Sequence, residues 1–89
     1  MNYTIFPNVI IPRNVSIGHY SIIGIGTRPS MILGSVDLKL DRELEKTIIG
    51  NYCYIGDHAI IEEGVHIGEN CIIESYSIIE KGSTIGNNT

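Results

Sequence analysis

The sequence predicts an all-β fold, a three-sided prism of short parallel strands with one inserted loop, and three observations carry that prediction. Isoleucine stands at 49, 55, 61, 67, 73, 79 and 85, a strict spacing of six, and the same spacing holds Ile5, Ile11, Ile17 and Ile23. A smaller or β-branched residue follows four places after each, from Val9, Val15, Ser21 and Thr27 to Cys53, Ala59, Val65, Cys71, Ser77, Ser83 and Thr89. Glycine, asparagine and acidic residues fill much of what remains of each hexad.

The spacing of four and then two fixes the backbone state. Positions two apart lie on one side of a strand, whereas a helix rotates them to opposite sides. Each hexad is therefore a short strand such as Cys53-Tyr54-Ile55, with Cys53 and Ile55 inward and Tyr54 outward, followed by a corner such as Gly56-Asp57-His58. Gly18, Gly24, Gly50, Gly56, Gly68 and Gly86 follow the isoleucine directly, and Asn14, Gly64, Asn70, Gly82 and Asn88 come two places later; these types accept positive φ at small cost. A three-residue strand cannot bury its inner face alone, so successive strands must coil about a common axis and stack. Three hexads per turn place stacked neighbours 18 residues apart, setting Cys53 against Cys71 and Gly64 against Gly82.

Between Arg28 and Thr47 the hexad disappears, and all four leucines, Leu33, Leu38, Leu40 and Leu44, fall in this gap. Ile23 and Ile49 are 26 apart rather than a multiple of six, so an inserted loop of about 29–47 leaves the prism at a corner. Val36, Leu38 and Leu40 alternate with Asp37 and Lys39 as in an extended segment, and residues 41–46 fit a brief helical turn. If the loop replaces one corner, the outward residues sort onto three faces. One holds Ile10, Arg28, Ile60 and Ile78, the second Ser16, Ile48, His66 and Thr84, and the third Ile22, Tyr54 and Ile72. Exposed isoleucine and tyrosine in such rows mark a contact surface.

Length and charge bound the rest. At 89 residues the chain is one domain, 1–89, and a formal charge of −4 with six Lys+Arg disfavours nucleic-acid and anionic-lipid partners. No apolar run approaches the roughly 18 residues of a membrane span, and MNYTIFPNVIIP lacks the basic start of a secretion signal; a cytoplasmic protein is expected. Cys53 and Cys71 show no zinc-ligand spacing and are expected to be reduced and buried; no metal is expected.

The run IIGNYCYIGDHAIIEEGVHIGENCIIESYSIIEKGSTIGNNT, together with Ile5 to Arg28, resembles the hexapeptide-repeat, or isoleucine-patch, acyltransferase superfamily over about three quarters of the chain. The resemblance implies a left-handed parallel β-helix, a hand that spacing alone does not fix, since ordinary parallel crossovers are right-handed. It further implies a homotrimer and an acetyl-CoA-dependent O- or N-acetyltransferase, with acetyl-CoA as co-substrate and a sugar or nucleotide-sugar acceptor. Such a transfer needs a base for the acceptor's proton, and histidine is the usual one.

Three histidines are candidates. His19, in Ile17-Gly18-His19-Tyr20-Ser21, holds the corner position where several superfamily members carry their catalytic histidine, although Tyr20 replaces the aspartate expected after it. His58 follows its isoleucine by three places, where positive φ is expected, and His66 points outward in mid-strand beneath Thr84. Glu62, Glu63 and Glu74 are candidates to orient an imidazole. A γ-type carbonic anhydrase shares the prism but needs two histidines five apart, whereas His58 and His66 are eight apart. The alternative function is a non-catalytic β-helical oligomerisation module or a truncated fragment of a longer transferase, the latter because the chain stops at Thr89, partway through a hexad.

Overall fold

A computed structural model of the chain describes residues 2–26 and 43–89. Eleven strands, each two to four residues long, run through them in order: β1 (Thr4–Ile5), β2 (Val9–Ile10), β3 (Ser16–Ile17), β4 (Ile22–Ile25), β5 (Thr47–Ile49), β6 (Tyr54–Ile55), β7 (Ile60–Glu62), β8 (His66–Ile67), β9 (Ile72–Ile73), β10 (Ile78–Ile79) and β11 (Thr84–Ile85). They form three parallel sheets, β1-β4-β7-β10, β2-β5-β8-β11 and β3-β6-β9, so every third strand stacks on its predecessor. This is a left-handed parallel β-helix.

The inward positions are those the hexad marks. Ile23, Ile49, Cys53, Ile55, Ala59, Ile61, Val65, Ile67, Cys71 and Ile73 form the buried core, while the residues between them, such as Tyr54 and Ile72, are exposed. Both cysteines are free thiols. Cys53 Sγ lies 3.1 Å from the Gly68 carbonyl and Cys71 Sγ 3.0 Å from that of Gly86.

The register corrects the expected faces. Ile10 pairs with Ile48, Ser16 with Tyr54 and Ile22 with Ile60, each 38 residues apart where an uninterrupted coil has 18. The three outward rows are therefore Thr4, Ile22, Ile60 and Ile78; Ile10, Ile48, His66 and Thr84; and Ser16, Tyr54 and Ile72. The expected grouping counted a further strand at Arg28 before the loop, whereas β4 and β5 occupy consecutive sides, so the extra residues lie between Ile25 and Thr47. Arg28 and the expected extended segment at Val36, Leu38 and Leu40 lie outside the described residues. Thr47, expected at the loop's end, is instead a buried strand residue, and Glu43 to Lys46 have no helical turn.

The ends of the excursion are stitched to the prism. Asn8 Nδ2 donates to the carbonyls of Gly24 (3.1 Å) and Glu45 (2.8 Å), and Thr47 Oγ1 to that of Glu62 (2.9 Å). The buried Glu63 carboxylate accepts the Glu45 N–H at 2.9 Å. A hydrogen bond of this kind offsets part of the cost of burying a polar side chain.

The two expected turn positions do different work. Positive φ falls three places after the isoleucine, at Tyr20, Tyr52, His58, Gly64, Asn70, Tyr76, Gly82 and Asn88. Of the glycines directly after an isoleucine, only Gly24 has positive φ. Gly18, Gly50, Gly56 and Gly68 are required for space, whereas Gly86 has open surroundings: a Cβ on Gly18 would lie 2.3 Å from Asp57 Oδ1, and one on Gly56 2.5 Å from the Ser75 nitrogen.

Candidate active site at the histidine corner

The corner between β3-β6-β9 and β4-β7-β10 stacks three turns: Gly18-His19-Tyr20, Gly56-Asp57-His58 and Glu74-Ser75-Tyr76. One device recurs in the stack. Glycine lets the next coil approach, and a polar side chain from that coil then accepts an N–H of the turn beneath. Asp57 Oδ1 accepts the His19 N–H at 2.8 Å, and Ser75 Oγ the Asp57 N–H at 3.0 Å. Above Gly68, Asn87 Oδ1 accepts the Glu69 N–H at 2.8 Å in the same way. Backbone bonds complete the ladder, from His58 N–H to the His19 carbonyl and from Tyr76 N–H to that of Asp57, both 2.9 Å.

This ladder brings two of the three expected histidines together. His19 and His58 occupy successive coils of one corner, and both are exposed. The His58 ring stacks between Tyr20 (centroids 5.3 Å, 26° between planes) and Tyr76 (5.0 Å, 4°). All three residues have φ near +60°, a backbone state that disfavours bulky side chains by about 1–2 kcal/mol each. Stacking contributes about 0.5–1.5 kcal/mol per pair, so the two contacts offset only part of that strain. With its ring faces covered by tyrosine, His58 presents only its edge nitrogens. His19 sits beside this stack, with Asn2 Nδ2 3.0 Å from its Nδ1.

His66 is elsewhere. It lies on the outer face of β8 between Ile48 and Thr84, as expected from its place beneath Thr84, and shares no corner with the other two. Two of the three glutamates expected to orient an imidazole accept backbone N–H groups: Glu62 Oε1 that of Lys81 at 2.8 Å, and Glu63 Oε1 that of Glu45. Glu74 is exposed in its turn, and its carbonyl accepts the Ser77 N–H at 3.3 Å. Sequence reasoning missed Asn2 and Asp57 as the neighbours of His19. Asp57 is 38 residues from His19, and its signal was Gly18, a glycine in a position that needs no positive φ.

Among the titratable groups Cys53 is perturbed: burial pushes its thiol above the ordinary value. Among the described residues no group of three or more His, Cys, Asp or Glu is placed to hold a metal ion, and no helix is long and apolar enough to cross a membrane.

A stack of six-residue coils with an isoleucine on every inner edge defines a hexapeptide-repeat protein. Residues 46–81 match the family described as bacterial transferase hexapeptide (six repeats), in agreement with the resemblance drawn from the isoleucine spacing. Comparison with curated proteins and with solved structures gives no match.

Proposed function

We propose that the protein is an acyltransferase that moves an acetyl group from acetyl-CoA to a hydroxyl or amine of a sugar or nucleotide-linked sugar, working as a homotrimer in the cytoplasm. The hexapeptide match over 46–81 carries this reading. The histidine corner supports it locally: a general base needs an accessible ring nitrogen and a fixed backbone, and His19 has both. His19 is assigned as the base and His58 as its stacked neighbour, while His66 on its flat face is a contact residue between subunits. The outward rows containing Ile72, Ile78 and Tyr54 supply apolar surface for the trimer.

Incubation with acetyl-CoA and amino- or hydroxy-sugars, following release of the coenzyme A thiol, tests this directly. The expected result is acceptor-dependent thiol release that falls at least about 100-fold in His19→Ala, the lower end of what a general base supplies. Unchanged turnover in that variant removes His19 from the role. A protein that trimerises without any release is instead the non-catalytic module, a reading favoured by one observation: the Asp57 carboxylate is committed to a backbone N–H rather than to an imidazole.

A further inference from the structure

We infer that Asn2 is the positioning residue of His19, setting which ring nitrogen carries the proton; the inference rests on the reading of His19 as the base. An imidazole has two nitrogens, and the hydrogen bond made by one decides the protonation of the other. Nδ1 of His19 meets the Asn2 side chain at 3.0 Å. The nearby carboxylate of Asp57 is occupied by the His19 backbone N–H, so the amide takes the place that a carboxylate holds in a base-orienting pair. Asn2 is itself anchored, since its carbonyl accepts the Tyr20 N–H. His19 is thus clamped from below through its ring and from above through its backbone, by residues at 2 and 57 that no local motif would join.

An amide differs from a carboxylate in having both a donor and an acceptor end. An amide that turns Nδ2 to the ring donates to Nδ1, and the proton of the neutral imidazole then belongs on Nε2. A half-turn of the amide presents Oδ1 to an Nδ1–H and leaves Nε2 bare. In that state Nε2 takes the acceptor's proton as its oxygen or nitrogen bonds to the thioester carbonyl carbon. The C–S bond then breaks, and the proton passes from Nε2 to the departing thiolate. Asn2 is the switch between a resting donor and a working base.

The test reads the His19 ring by ¹⁵N NMR in the full chain, at one pH, for the wild type, Asn2→Asp and Asn2→Ala. Asp57, His58 and Tyr20, the titratable groups around the ring, stay unchanged, and backbone amide spectra verify the fold. A carboxylate only accepts, so Asn2→Asp is expected to move the proton to Nδ1, and Asn2→Ala to release the wild-type preference. Identical ring nitrogen shifts in all three proteins overturn the inference. In turnover, Asn2→Ala is expected to lower kcat about tenfold, a part of the 10²–10⁴-fold that a general base supplies, at unchanged KM, with Asn2→Asp retaining more. A wild type that releases no thiol sinks the acyltransfer reading alone, and the nitrogen shifts still decide the role of Asn2.

Discussion

The middle coils and the outer coils are built from the same hexad, yet they bury it differently. Ile23, Ile49, Ile55, Ile61 and Ile67 each have a rung above and a rung below, and all are at most 3% exposed. Ile5, at the base of its sheet, is 37% exposed, and Ile11, Ile17, Ile79 and Ile85 are only partly buried. Ile73 is the exception among rungs with one neighbour: it is 4% exposed, and Thr89 reaches over its strand to accept the Ile72 N–H at 2.8 Å. The repeat dictates which way a side chain points, and stacking on both sides dictates whether water is excluded from it.

The sharpest way to break this comparison is to truncate one rung of each kind. Ile61→Ala should lower unfolding free energy by about 4 kcal/mol and Ile5→Ala by no more than about 1 kcal/mol, because only the enclosed site keeps its cavity. Urea titration at fixed protein concentration measures both, and equal losses would show that burial is not set by the neighbouring rungs. The next largest contrast concerns glycines. Gly56→Ala drives a methyl against the Ser75 backbone and should cost about 2–3 kcal/mol, whereas Gly86 has no atom within 4 Å of the added carbon and should tolerate alanine with almost no change in urea midpoint.

Gly82 separates space from backbone conformation. It too has open surroundings, but its φ is +81°. Gly82→Ala should therefore cost about 1 kcal/mol, and a neutral result in the same titration would remove the distinction between the two glycine roles. The smallest effect is expected from pH. Burial raises the Cys53 thiol above its ordinary value of 9.0. Below that value folded and unfolded chains both hold the proton, and above it the unfolded chain releases its proton first, so stability falls as pH rises. Cys53→Ala should show a shallower decline in urea midpoint between pH 8 and pH 10 than the wild type does.

Much of this architecture was legible in the isoleucines. Their spacing marked the inner edge, but of the two positions read as accepting positive φ the one three places after the isoleucine regularly adopts it, including where Tyr20, Tyr52 and Tyr76 stand. The assignment of faces was not legible, because one strand counted too many before the excursion rotates every earlier row by one side. The candidate site was half legible. His19 and His58 stood at corner positions, but their meeting depends on a stack 38 residues deep through that coil. Glu63 stood among the glutamates able to orient an imidazole, and its bond to the Glu45 N–H, where the chain returns to the prism, gives that buried side chain a structural partner.

The glycine-spanning contacts bear on how such a chain changes over generations. Gly18 with Asp57, Gly56 with Ser75 and Gly68 with Asn87 are joined pairs: a side chain gained at the first position evicts the second, and a longer second residue is admitted only where the first stays bare. Drift at these sites should therefore proceed by linked replacements at a distance of one coil, leaving a correlated signature between positions that a residue-by-residue view would treat as independent.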